Sequence, residues 1–246
     1  ALGADYTFAN AVRAGVMVNA GAGEAEDGGD FDRTTNDVTF WGLGAYVGWR
    51  LGDFGLSSDV QYTHTRNDIG QFMPTEMQMG DLSTNIHAKA LSAGLHAEYK
   101  FSAKWMDIVP HLGVRFTHLM IPNYTVQSGG LTVMDGANMY QNIWSFPVGV
   151  TFTKDFALEN GWAFTPLLDL RVTPRAGDID ARSRVSFTGV PGSAITETQT
   201  MDDITYGGTV GLEFSKDNMK LDFSYSLDAG EDVSSHGFFA RWSWKF

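Results

Sequence analysis

Strict two-residue alternation of apolar and polar side chains, renewed strand after strand, constrains this chain more than any other feature. In the segment 41–50, Trp41, Leu43, Ala45, Val47 and Trp49 interleave with Gly42, Gly44, Tyr46, Gly48 and Arg50. A period of two puts alternate side chains on opposite faces of an extended strand. Val12, Ala14, Val16 and Val18 repeat the pattern against Arg13, Gly15, Met17 and Asn19, as do Leu91, Ala93, Leu95, Ala97 and Tyr99 against Ser92, Gly94, His96, Glu98 and Lys100. Ile108–Thr117, Phe164–Thr173, Thr205–Phe214 and Lys220–Leu227 continue it, and segments 1–8, 54–65 and 143–153 follow more weakly. Runs of about ten residues exceed the roughly 5–6 of an ordinary soluble strand and match a tilted strand crossing hydrocarbon. Aromatic residues at the run ends (Trp41, Trp49, Tyr99, Phe101, Trp162, Phe214, Phe246) suit interfacial girdles.

Extended soluble barrels alternate in the same way, so the orientation of the apolar face decides between the two solvents. The expectation is that Val16, Val47, Leu95 and Leu168 meet lipid; a shared central core made of them would overturn it. Composition agrees with strands: 28 glycines and 13% aromatic residues stand against 19% charged ones. A mean hydropathy of −0.15 and the lack of any long apolar run exclude a helical membrane span, but two-faced strands average to this value. The absence of cysteine removes disulfides and thiolate chemistry, and a net charge of −12 argues against nucleic acid as a partner. No signal peptide opens the chain, which begins at Ala1 inside a strand pattern, as a mature or trimmed segment would.

Connections alternate in length. Tight turns are expected near Phe8–Ala11, Arg50–Phe54, Phe101–Trp105, Thr153–Trp162 and Ser215–Met219, and longer polar stretches near 21–37, 66–84, 119–139, 175–203 and 228–235. Outer-membrane barrels have this asymmetry, with short periplasmic turns and long extracellular loops, so the C-terminus is expected in the periplasm. Strands at about 1–8, 11–22, 38–50, 54–66, 84–101, 106–119, 139–153, 161–175, 203–215, 219–228 and 236–246 number eleven. An odd up-and-down set cannot close antiparallel, so one further strand is expected before Ala1, making twelve. The fold class is therefore an all-β, transmembrane, antiparallel up-and-down β-barrel occupying 1–246.

Gly3–Tyr6, Trp41–Arg50, Leu91–Phe101 and Thr165–Arg171, followed by Leu221–Ser226 and Ser235–Phe246, together resemble the translocator domain of type V autotransporters. The resemblance spans nearly the whole chain. It implies a twelve-stranded barrel whose lumen holds a helix leading to a secreted passenger, with that helix and the first strand lying upstream. It also implies a C-terminal signal for the barrel-assembly machinery in Phe238, Trp242, Trp244 and Phe246, with Ala240 on the same face. An edge strand with unpaired backbone groups is suited to such recognition. Arg241 stands where the family has a glycine.

The lumen-facing set is Gly42, Gly44, Gly48, Arg50, Glu98, Arg115, Asp169, Arg171, Glu213, Asp222 and Arg241, joined by Lys100, Lys220, Gly94, Gly113, Gly207 and Gly211. Mixed charges of this kind usually pair across strands, while bare glycines leave room for a helix or an extended polypeptide. The family's self-cleaving members use acidic barrel residues, and Glu98, Asp169 and Glu213 are the corresponding places to look. His96 and His111 are expected opposite each other across a turn centred near Ala103, as a structural pair rather than a metal site. His64, His118 and His236 have serines nearby but no spacing that marks a nucleophile and base. The acidic stretch Glu24, Glu26, Asp27, Asp30, Asp32 and Asp37 reads as solvated loop rather than a Ca²⁺ site.

The expected function is export and anchoring of a passenger by a non-enzymatic, cofactor-free, monomeric barrel. Its expected partners are outer-membrane lipid, lipopolysaccharide, the assembly machinery and its own passenger. The alternatives are a stand-alone porin or adhesin barrel and, third, an outer-membrane hydrolase.

Overall fold

The computed structural model describes residues 1–8, 11–28, 33–72, 80–199, 201–231 and 233–245. Its wall is built of antiparallel crossings, each hydrogen-bonded to the next crossing along the chain. β1 (Leu2–Thr7), β2 (Val12–Gly28), β3 (Arg33–Leu51), β4 (Phe54–Gln71) and β5 (Leu82–Tyr99) are followed by the short β6 (Phe101–Ser102) and by β7 (Asp107–Ile121). Beyond them, β8 (Tyr124–Ser128) and β9 (Leu131–Gly136) form a hairpin before β10 (Met139–Ser145) and β11 (Val148–Thr153). β12 (Phe156–Ala157) and a 3₁₀ turn at Glu159–Gly161 lead into β13 (Ala163–Gly177). A second hairpin, β14 (Asp180–Phe187) with β15 (Ala194–Gln199), precedes β16 (Ile204–Lys216), β17 (Met219–Ala229) and β18 (Ser234–Trp244).

β10 and β11 are one crossing interrupted at Pro147, which has no N–H to give the ladder; both pair with β7 and with β13 in unbroken register. Eleven crossings result among the described residues: β1, β2, β3, β4, β5, β7, β10 with β11, β13, β16, β17 and β18. They coincide with the eleven segments marked by alternation. Among the described residues no ladder joins β1 to β18; β1 pairs with β2 and β18 with β17.

The long connections differ from the loops expected. β2 and β3 stay paired out to Gly28↔Arg33, and β4 and β5 out to Gln71↔Leu82, so strand takes up most of 21–37 and both flanks of 66–84. Polar strands that need not face hydrocarbon carry no apolar alternation, which is why their extent was not legible. The stretches 119–139 and 175–203 fold into the two hairpins, of which β8 adds to the end of β5 and β9 pairs with β14. Among the described residues the buried apolar side chains, Val126, Ile143, Ala181 and Val185, lie at this long-loop end.

The apolar face of the crossings is the exposed one. Val16 is 62% exposed, Val47 45%, Leu95 47% and Leu168 40%, and burial along β3 alternates so that Gly42, Gly44, Tyr46 and Gly48 are the more covered residues. A water-soluble chain would bury those apolar groups, each contributing about 1.5–3 kcal/mol on burial. Here nothing among the described residues covers them, and the molecule carries its own apolar belt outside a polar interior.

Candidate functional site

The polar face forms a continuous wall of cross-strand ion pairs whose repeated unit is a glycine flanked by two charged or polar partners. Asp5, Gly15 and Tyr46 are register neighbours on β1, β2 and β3, and the Tyr46 hydroxyl donates to Asp5 Oδ2 at 2.7 Å over the bare glycine. Arg50, Gly55 and Glu98 repeat this on β3, β4 and β5, with Arg50 Nη2 2.5 Å from Glu98 Oε1. Asp59, Gly94 and Arg115 do so on β4, β5 and β7, where Arg115 Nη2 donates to both Asp59 oxygens at 2.7 and 3.0 Å. Arg171, Gly207 and Asp228 follow on β13, β16 and β17, with Arg171 Nη2 donating at 2.8 and 2.7 Å.

The physical reason is distance. Backbones two strands apart are separated by about 9–10 Å, a span that two long side chains bridge only by lying flat across the middle strand. A Cβ at Gly55 would sit 2.8 Å from Glu98 Oε1, one at Gly94 2.8 Å from Arg115 Nη2, and one at Gly207 2.6 Å from Arg171 Nε. Each is closer than real Cβ contacts allow, so these glycines exist for the bridge above them.

This corrects part of the expectation that glycines leave lumenal room for a passing chain. The space over Gly94 and Gly207 is taken by ion pairs, that over Gly42 by Asn19 and that over Gly44 by Met17, while Gly113 abuts the Leu95 carbonyl and Pro147. A Cβ at Gly48 or Gly211 would meet its nearest neighbours only at ordinary van der Waals contact, 3.9 and 3.4 Å. Over Gly48 lies a hollow of about 220 Å³ at the tight-turn end, lined by Arg13, Arg50, Gly55, Ser57, His96 and Glu98 among others.

Asp169 is the most enclosed carboxylate of the wall, at 9% exposure. His111 Nε2 lies 2.7 Å from its Oδ2, Thr151 donates to the same oxygen at 2.8 Å, and Arg171 Nη1 lies 3.4 Å from Oδ1. Glu213 and Asp222 are direct register neighbours, a repulsive placement offset by Lys220 on Glu213 at 2.6 Å and Arg241 on Asp222 at 3.0 Å. Arg13 donates to both oxygens of Asp5 at 2.7 and 2.6 Å, and Lys100 lies 2.8 Å from Asp107.

The structure brings together Arg50 with Glu98, Asp169 with Arg171, and Asp222 with Arg241. It adds Asp5, Arg13, Tyr46, Asp59, Asp107 and Asp228, which sequence reasoning left out of the lumen set. Their signal was parity: Asp59 shares a face with Gly55 and Ser57, and Asp228 with Asp222 and Ser226. His96 and His111 are not opposite; the register pairs His96 with Gly113 and Glu98 with His111, a slip of two residues from the expected pairing. The rings still approach to 5.3 Å between centroids along the diagonal, but each histidine leans on a carboxylate, His96 on Glu98 at 3.8 Å and His111 on Asp169.

Phe238, Trp242 and Trp244 project from the outer face of β18, more than half exposed; Phe246 lies outside the described residues. In the acidic stretch, Arg33 bonds Glu26 at 2.6 Å and Glu24 faces Asp37 across the β2–β3 ladder, while Asp30 and Asp32 lie outside the described residues. No group of three or more metal-ligating side chains occurs among the described residues.

Similarity to known proteins agrees with this architecture. The family model described as "Autotransporter beta-domain" matches residues 1–226. The translocator domain of the autotransporter NalP from Neisseria meningitidis superimposes with a TM-score of 0.70 at 13% identity, covering 99% of this chain and 79% of that one. The β domain of the Bordetella autotransporter BrkA gives 0.61 at 14% identity, covering 98% and 95%. No curated protein sequence matches the chain. With the family model spanning all but the last twenty residues and two independent barrels of that kind sharing its fold, the chain belongs to the autotransporter β-domain family.

Proposed function

We propose that the barrel stands with its long connections and both hairpins outside the cell and its tight turns and C-terminus in the periplasm, closed by a twelfth strand between β1 and β18. As a member of its family the chain is an outer-membrane translocator of a linked passenger domain. The observation that carries the reading is the inverted distribution of side chains: an exposed apolar belt outside and a wall of paired charges inside. Such a wall offers a polypeptide a hydrophilic surface with its charges already paired, so that a passing chain is not trapped.

The twelfth strand is supported by parity. Eleven up-and-down crossings put β1 and β18 in the same direction, and an antiparallel strand fits between two parallel edges. In this reading the exposed Phe238, Trp242 and Trp244, with Phe246, present β18 to the barrel-assembly machinery, and the belt takes outer-membrane lipid including lipopolysaccharide. In this reading the wall serves transport, with Glu98, Asp169 and Glu213 held against Arg50, His111 and Lys220 as part of its paired surface.

The test is display. A reporter passenger joined upstream through the native linking segment should become sensitive to protease added to intact cells, with the barrel itself heat-modifiable on gels. A barrel that folds while its passenger stays protected inside would refute export. Replacing Trp242 and Trp244 by serine should lower assembly in cells while leaving refolding of the purified barrel unchanged; equal loss in both settings would reduce these residues to lipid anchors.

A further inference from the structure

On one sector of the outer wall the apolar belt ends in a cluster of basic side chains. His64 on β4 is the register partner of Trp41 on β3, which ends the belt at the long-loop side, and of Lys89 on β5. Arg66 is the partner of His87, and Leu91, two residues below Lys89, is the partner of His118 on β7. Parity places all five basic residues outward, with Tyr62, Leu91 and Phe116 directly beneath them. The cluster is held together: the His64 ring lies 5.8 Å from Trp41 and 5.4 Å from His87, with His64 Nε2 3.4 Å from His87 Nδ1. His118 is fixed by Asn142 at 2.8 Å and stacks on Tyr140 at 6.0 Å.

One carboxylate reaches the edge of the cluster, Asp178, which accepts from the backbone N–H and side-chain amide of Asn142 at 3.1 and 3.2 Å beside His118; those on β4, β3 and β2 lie further out. Asp68, two residues beyond Arg66, accepts from it at 2.9 and 3.1 Å; Asp37 is the partner of Asp68, and Glu24 that of Asp37. Moving outward, the sector runs from apolar to basic to acidic. Lys89 makes no ion pair among the described residues. In the same sector the opposite end of the belt shows Trp49, Leu56, Ala97 and Tyr99, with no cation among them. A chain of net charge −12 thus gathers five basic side chains where this sector's belt ends, whereas the outward-parity cations of the opposite end, Lys154 after β11 and Lys216 on β16, stand singly on other strands.

From this stratification we infer that His64, Arg66, His87, Lys89 and His118 form a binding site for the phosphate groups of an anionic glycolipid in the outer leaflet, whose acyl chains lie along Tyr62, Leu91 and Phe116. The inference rests on the proposed orientation, which puts the long-loop end outside. Phosphates set directly above acyl chains match a row of donors directly above an apolar surface, and charge-assisted bonds from arginine and lysine are the strong ones. The acidic tier above confines the phosphates to the level of the belt edge.

Native mass spectrometry of the full chain in detergent micelles tests this, with bis-phosphorylated lipid A, its dephosphorylated form and inorganic phosphate as probes. Bis-phosphorylated lipid A should bind, and the Arg66→Gln, Lys89→Gln double variant should weaken it about thirtyfold, each basic group at a lipid surface contributing a factor of roughly five to six. Lys216→Gln, at the opposite end beside Trp162, should leave binding unchanged. Equal binding of the dephosphorylated lipid, or an unchanged affinity in the double variant, overturns the site. Competition by inorganic phosphate at the lipid's own concentration also overturns it, in favour of a free-anion site. Passenger display in the double variant should stay intact, so loss of lipid binding and loss of export are told apart.

Discussion

Placing an arginine at two comparably exposed positions of the outer face separates a membrane belt from a wet surface. Val60 is 50% exposed and Leu51 61%, and both are apolar residues of the outward parity. Trp41 and Trp49 bound the belt on β3, eight residues or about 26 Å apart along the strand and, at a tilt near 40°, about 20 Å in height. Val60 pairs with Ala45, midway between them, whereas Leu51 lies beyond Trp49 next to the tight turn. Val60→Arg should therefore cost about 2–4 kcal/mol, and Leu51→Arg about 0–1. The first corresponds to a roughly 30- to 700-fold fall in the folding equilibrium constant. Equilibrium unfolding by guanidinium in short-chain phospholipid vesicles, read by tryptophan emission and gel mobility, measures both. In water two such exposed sites would each change stability by no more than about 0.5 kcal/mol. Equal and small effects would mean that the apolar face does not meet lipid, and the orientation of every strand would have to be reconsidered.

The glycine bridges make a paired prediction. Gly207→Leu drives a side chain into the Arg171–Asp228 pair and should destabilise by about 1–3 kcal/mol, while Gly48→Ala, whose Cβ meets Ser57 only at ordinary contact distance, should be neutral or gain up to about 1; similar behaviour at both sites in the same unfolding assay would reject the bridging role. Asp169→Asn leaves His111, Thr151 and Arg171 around a neutral amide and should cost about 1–3 kcal/mol, more than Asp222→Asn on the exposed side of the wall; a reversed order would show that enclosure does not set the cost. Ala11 holds φ at 62° in the tight turn before β2, so Ala11→Gly should raise the unfolding midpoint by the equivalent of roughly 0.5–1 kcal/mol; a drop would place the strain elsewhere.

What alternation could and could not reveal follows from where it is physically required. Between Trp41 and Trp49 one face meets hydrocarbon and the other water, so each residue is forced to choose, and the eleven crossings were legible. Beyond the belt both faces are wet, and the outer halves of β2, β3 and β4 lost their pattern although their ladders continue to Gly28↔Arg33 and Thr34↔Gln71. The hairpins β8–β9 and β14–β15 were hidden for the same reason. Two prolines that in isolation argue against a central strand, Pro110 and Pro166, sit within β7 and β13, where the alternation around them was the stronger signal.

The lumen wall was legible by face but not by partner. Parity assigns Arg115 and Arg171 to the polar side with no knowledge of neighbours. Choosing Asp59 for one and Asp228 for the other requires the register of three strands at once, and an error of two residues in a turn moves every pair. The β5–β7 turn shows this: a shift of two residues leaves His96 and His111 on the right face yet exchanges a facing pair for a diagonal one, and gives each ring a carboxylate instead. A glycine between two strands that carry opposite charges on the same face is the sequence mark of the bridge. It becomes readable only once three alternating segments are laid side by side, because the partners it separates, Asp59 and Arg115 or Arg171 and Asp228, are more than fifty residues apart along the chain.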